Sequence, residues 1–149
     1  MYKSVIRPLL EYATPVWNPI LKKDAAEIES VQRRLTKLIS ETRGFSYQER
    51  LRILALPTLA QRRLYFDLTQ CYKILHQLDS CNCYHSLHRK TTKTRGRSYQ
   101  LVLAPARLMA RQQTFVHRVV QAWNTLPQEI VNQPTLSRFK NALRAHLKL

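Results

Sequence analysis

Six thiol and imidazole side chains crowd the middle of the chain, in the stretch CYKILHQLDSCNCYHSLH: Cys71, His76, Cys81, Cys83, His85 and His88. Thiolates and imidazoles bind zinc, and a thiol beside a base is a nucleophile. The spacing fits neither use. Structural zinc sites bring paired ligands about two to four residues apart, twice over, and the one close thiol pair here is Cys81 with Cys83. Cys71 falls on the apolar stripe of an expected helix, which makes it a core residue. A nucleophile at Cys81 or Cys83 would sit in a polar loop with no orienting acid. Glu27 and Glu29, two apart on a helix, point away from each other and are no acid–base pair. Three cysteines leave one odd, which argues against a disulfide framework and for a reducing compartment. The expectation is no metal, no cofactor and no catalysis.

Cations carry the remaining chemistry. Lys and Arg number 25 against 9 acids, a formal net charge of +16. Such an excess repels itself in a small domain, and an anionic partner relieves it. The basic residues recur through the whole chain instead of forming one amphipathic face, which points to nucleic acid rather than a membrane. Arg33, Arg34 and Lys37 share one side of an expected helix. Arg62 and Arg63 fall in the first turn of another, where cations oppose the helix dipole, so their placement calls for an internal acid or a phosphate. The stretch RKTTKTRGR holds Arg89, Lys90, Lys93, Arg95 and Arg97, with threonines able to add hydrogen bonds to phosphate oxygens. Arg107, Arg111 and Arg118 continue the series. Tyr99 could stack on a base or be buried. Nothing reads as base-specific, so backbone binding of a duplex or of structured RNA is expected. Gly44 and Gly96 are the only glycines, which leaves no glycine-rich phosphate loop. No apolar run is long enough to span a bilayer, and Arg7 and Glu11 interrupt the first apolar stretch. The expectation is an intracellular protein, nuclear or cytoplasmic, with no membrane partner.

These residues must be positioned by helices. Val5, Leu9, Tyr12, Val16 and Trp17 suit an apolar helical face, with Pro8 at a kink or first turn. In KKDAAEIESVQRRLTKLIS, Ile28, Val31, Leu35 and Leu38 recur at helical spacing, with acids early and cations late. Ser46 with Glu49 forms a capping box for a short helix that Pro57 ends. Thr58 with Gln61 forms a second, opening a long helix through about Leu78 with a stripe of Leu64, Leu68, Cys71, Leu75 and Leu78. SYQLVLA alternates, which allows one short strand or hairpin near 98–104. Phe115, Val119, Ala122 and Trp123 form one later stripe, and Leu136, Phe139, Leu143 and Leu147 another. The predicted fold is mainly α: a helical bundle-like region over 1–78, a basic loop over 79–97 and a smaller helical segment over 98–149.

Trp123-Asn124-Thr125-Leu126-Pro127 reads as the corner between the last two stripes. Trp123 is a core anchor. Asn124 tolerates the left-handed conformation of helix ends, and Pro127 suits the first turn of the next helix.

The same stretch, RVVQAWNTLPQEIVNQPTLSRFKNALRAHL, resembles the extreme C-terminus of LINE-type, jockey-like non-LTR retrotransposon reverse transcriptases. There a Trp-Asn-x-Leu-Pro element precedes a Phe-Lys-x-x-Leu helix, matched at Trp123, Asn124, Leu126, Pro127, Phe139, Lys140 and Leu143. MYKSVIRPLLEYA resembles a family segment at Tyr2, Lys3, Arg7, Pro8, Leu10, Glu11, Tyr12 and Ala13. IESVQRRLTKLI, LPTLAQRR and TRGRS resemble further segments in the family's order, leaving about residues 79–93 uncovered. The resemblance implies the thumb and post-palm region of an RNA-directed DNA polymerase, packing on RNA or an RNA–DNA duplex, with the parent's palm and fingers upstream. The family's metal-binding Tyr-x-Asp-Asp turn has no counterpart: Asp24, Asp67 and Asp79 are the only aspartates, and none is adjacent to another. The expected molecule is therefore a truncated, non-catalytic fragment opening at an internal Met. The competing expectation is a stand-alone helical protein-interaction module.

Overall fold

Two capping boxes start helices where the sequence predicts them. The Ser46 N–H donates to Glu49 Oε2 at 2.8 Å, and the Glu49 N–H to Ser46 Oγ at 3.4 Å. The Thr58 N–H donates to Gln61 Oε1 at 3.0 Å, and the Gln61 N–H returns to Thr58 Oγ1 at 3.1 Å. Each box satisfies two N-terminal donors that the helix itself leaves orphaned.

The computed structural model describes residues 2–19, 21–79, 87–89, 100–103, 105–112 and 114–149. Over these the chain is mainly α. A π-helical turn, Tyr2–Ile6, runs into α1 (Arg7–Glu11), followed by α2 (Thr14–Trp17) and α3 (Lys22–Lys37). A 3₁₀ turn at Ser40–Thr42 leads to α4 (Tyr47–Ile53) and α5 (Leu59–Leu75). β1 (His88–Arg89) pairs antiparallel with β2 (Leu101–Val102), His88 opposite Val102. Then come α6 (Met109–Gln112), α7 (Phe115–Thr125), α8 (Gln128–Val131) and α9 (Leu136–Leu147). Among the described residues, no helix is long and apolar enough to cross a membrane. Packing divides the chain into two compact units, Met1–Arg63 with Lys148–Leu149, and Leu64–Leu147. Most of the expected 79–97 loop lies outside the described residues.

The helix ends differ from the sequence expectation. Pro57 does not stop α4; a Schellman motif does. Ala55 is left-handed (φ 47°), and the Leu56 N–H reaches back to the Leu51 carbonyl at 2.9 Å. α5 stops at Leu75 rather than Leu78 by the same device: Gln77 is left-handed (φ 54°) and the Leu78 N–H donates to the Lys73 carbonyl at 2.8 Å.

The first unit buries polar residues. Thr14, Gln32, Thr36, Thr42 and Arg50 are inside, with Leu51, Leu56 and Leu59. The expected apolar stripe of α3 is correspondingly displaced: Leu38 is 73% exposed, and the helix buries Gln32 and Thr36. Gln32 can be buried because its amide is fully used. Its Nε2 donates to the Pro57 carbonyl at 2.9 Å and to the Tyr47 hydroxyl oxygen at 3.2 Å, and its Oε1 accepts from Tyr2. Glu29 beside it accepts from the Tyr47 hydroxyl and, at 3.0 Å, from the Leu59 N–H at the start of α5. A carboxylate there complements the helix dipole. The predicted N-terminal apolar face is not buried either: Val5, Leu9, Tyr12 and Val16 are all more than half exposed.

The second unit has most of the apolar core the sequence predicts, but Leu78, expected on the α5 stripe, lies past the end of the helix and is 58% exposed. Leu68, Cys71, Leu75, Val119, Trp123, Phe139 and Leu143 are buried. Phe139 stacks on Tyr72 with centroids 4.3 Å apart and lies 5.8 Å from Trp123; Tyr72 also stacks on His76 at 4.1 Å. The Tyr72 hydroxyl donates to the Gln133 carbonyl at 2.7 Å, giving the buried phenol its partner. β2 alternates as expected, with Leu101 buried and Val102 exposed.

The corner at Trp123 is resolved differently from the expectation. Asn124 is helical, within α7, and takes no left-handed conformation. Its carboxamide instead holds β2, accepting from the Leu101 N–H at 3.0 Å and donating to the Leu101 carbonyl at 2.9 Å. Pro127 is the N-cap of α8 rather than a residue of its first turn, and its carbonyl accepts from Ile130 at 3.1 Å. Leu126 is buried.

Candidate nucleic-acid interface

Four cations line one cavity in the first unit. Arg34 and Lys37 come from the last turn of α3, Arg43 from the loop that follows, and Arg50 from α4. Leu38, Gly44 and Phe45 complete the wall of a cavity of about 610 Å³, and no acid lines it. That volume lies within the usual range for ligand pockets.

The loop is pinned by ordinary rules. The Thr42 hydroxyl, fully buried, donates to the Thr36 carbonyl at 2.7 Å, tying the 3₁₀ turn back to the end of α3. Gly44 then takes φ 89°, a conformation nearly closed to residues with a Cβ. The Ser46–Glu49 box follows at once, and its hydrogen bonds hold the Glu49 carboxyl below its usual pKa. Two fixed anchors thus bracket Arg43, Gly44 and Phe45.

Arg34 and Lys37 also offset the carboxyl-end dipole of α3, a sufficient structural reason for them. Arg50 likewise falls in the last turn of its helix, α4, but it is the one of the four that is buried. It is 6% exposed, and its Nε meets no hydrogen-bond acceptor. Its guanidinium lies 5.8 Å from the Tyr47 ring, which Arg33 approaches to 5.0 Å. A buried guanidinium without a carboxylate is costly.

The other predicted cations have varied settings. Arg62 and Arg118 have internal carboxylates. Arg62 forms a two-pronged pair with Glu11, its Nη2 at 2.8 Å from Oε2, and this answers the placement against the α5 dipole. Arg118 grips the buried Asp67 through Nε at 2.8 Å and Nη2 at 3.2 Å. Arg63 is 5% exposed. Arg107 and Arg111 are exposed in the second unit. Lys90, Lys93, Arg95 and Arg97 lie outside the described residues, as do Tyr99, Cys81, Cys83 and His85. Cys71 is fully buried, and burial, with the nearby Asp67 charge, pushes its thiol pKa up.

Arg43 and Arg50 carry no signal of a site in the sequence. Each stands alone among neutral or mixed neighbours, and only the turn at Gly44 brings them to Arg34 and Lys37. Comparison with protein-family models, with curated proteins and with solved structures finds no match to this chain.

Proposed function

We propose that this chain is the C-terminal, thumb-containing piece of a non-LTR retrotransposon RNA-directed DNA polymerase, holding RNA or an RNA–DNA duplex by its phosphates. It performs no polymerisation itself, since its aspartates form no adjacent pair. Its partners are the nucleic acid and the palm and fingers of the parent, in an intracellular ribonucleoprotein. The observation that carries the binding half is the acid-free cavity of Arg34, Lys37, Arg43 and the buried Arg50. Phosphate contacts position a nucleic acid without reading its sequence, which suits a site built from cations. The retrotransposon half rests on the ordered resemblance of the motifs.

A salt titration tests the binding. Engaging about six phosphates makes affinity fall on the order of a thousandfold between about 50 and 200 mM salt. A flat profile would remove the nucleic-acid reading.

One observation favours a second reading, a helical protein-interaction module. Leu9, Tyr12 and Val16 are exposed by 73%, 78% and 86%, and such side chains suit an apolar partner. Affinity for that partner would change little with salt.

A further inference from the structure

We infer that the cavity takes a single-stranded nucleotide, with one phosphate among the cations and the adjoining base laid on Phe45. The inference rests on the phosphate-binding reading and adds the strandedness of its ligand. Phe45 is 48% exposed and lines the same cavity as Arg34, Lys37, Arg43 and Arg50. An exposed ring beside a cluster of cations reproduces the two parts of a sequence-tolerant single-strand site: a charged groove for the backbone and an aromatic platform for the base. In a duplex the base faces are covered by their neighbours, so Phe45 selects an unstacked base. Gly44 lets the ring present itself, because φ 89° turns the chain immediately before Phe45, and nothing stands within 4 Å of where a Cβ on Gly44 would be. Arg50 lines the same cavity from α4 and adds a fourth positive charge to the phosphate's surroundings.

The test uses the full chain and three probes of equal length: a mixed-sequence RNA strand, its abasic counterpart with the same phosphates, and an RNA duplex. Phe45→Ala is expected to weaken the intact strand roughly tenfold, the loss expected for one base–aromatic stack. It should leave the abasic strand and the duplex unchanged, and Phe45→Tyr should restore binding. Arg34→Ala and Arg43→Ala, both exposed positions, should weaken all three probes. If Phe45→Ala binds the intact strand as the wild type does, or loses the abasic strand equally, the stacking inference is overturned while the phosphate reading stands. If the two arginine variants change nothing, the cavity is no phosphate site, and both readings of it fall.

Discussion

Asn124 serves Leu101 as a neighbouring strand would. One carboxamide makes both backbone hydrogen bonds of the buried Leu101, at 3.0 and 2.9 Å. Among the described residues, β2 is two residues long and pairs on one side with β1.

Replacing Asn124 by Ala should therefore leave a buried N–H and C=O unpaired, at a cost of about 2–3 kcal/mol for the two bonds together. Asn124→Asp should be nearly as damaging, because a carboxylate cannot donate to the Leu101 carbonyl. Urea denaturation gives the magnitude. Amide exchange at Leu101 gives the location: an unchanged Leu101 exchange rate in Asn124→Ala would refute the clamp.

The Asp67–Arg118 fork makes a second test. Arg118→Met removes both prongs of the fork from a carboxylate whose side chain is 3% exposed, and breaking one side of such a pair costs about 3–5 kcal/mol. The double variant Asp67→Asn with Arg118→Met should recover most of that loss. Arg118→Met combined with Asp67→Asn should also leave the salt slope of RNA binding unchanged, since Arg118 is already neutralised within the fold.

Alkaline pH should loosen the first unit. Burial pushes the Tyr2 phenol up to about 12, and burial with the Glu29 hydrogen bond raises Tyr47 as well. An unfolded tyrosine ionises near pH 10. The folded state therefore favours the neutral phenol: the contribution is complete below pH 10 and is lost as pH rises from 10 toward 12. Chemical denaturation across that interval should give a steeper decline for the wild type than for Tyr2→Phe; equal slopes would contradict the assignment.

Cys71 should resist alkylation until the chain unfolds. Its thiol is fully buried and its pKa raised, and the thiolate is the reactive species. Peptide mapping after pulse labelling, with and without denaturant, separates the two states at this residue. Modification of native Cys71 at the rate of a free thiol would place it at the surface instead.

The elements legible in the sequence are those specified by near neighbours. The boxes at Ser46 and Thr58 span three residues each, and the stripes holding Cys71, Trp123, Phe139 and Leu143 repeat at the helical period. The mainly α character follows from these. Missed features depend on distant partners. Gln32 is buried in α3 because Tyr2, Tyr47 and Pro57 satisfy its amide, and hydrophobic periodicity counts no polar side chain as inward-facing. Glu11 lies 51 residues from Arg62; the dipole conflict at Arg62 announced that a partner was needed without naming it. Asn124 had its typical cap role in prospect, whereas the need of Leu101 for backbone partners decided its actual one. Two of the candidate site's five side chains, Arg34 and Lys37, stand out as a helix cluster. Arg43, Phe45 and Arg50 join it only through the Gly44 turn.

The polar interior of Met1–Arg63 also sets how that half responds to temperature. Exposing apolar surface on unfolding raises the heat capacity, by about 0.45 cal/K/mol/Å², and exposing polar surface lowers it, by about 0.26. Gln32, Thr14, Thr36, Thr42 and Arg50 would go from buried to hydrated, while Leu9, Tyr12, Val16 and Leu38 are largely hydrated already. The two contributions partly cancel, so the stability curve of this half should be flatter per residue than that of the Leu64–Leu147 half around Trp123 and Phe139. Below the temperature of maximum stability, cooling should therefore cost the second half more than the first, and amide exchange followed on cooling should open the surroundings of Trp123 and Phe139 before those of the cation-lined cavity.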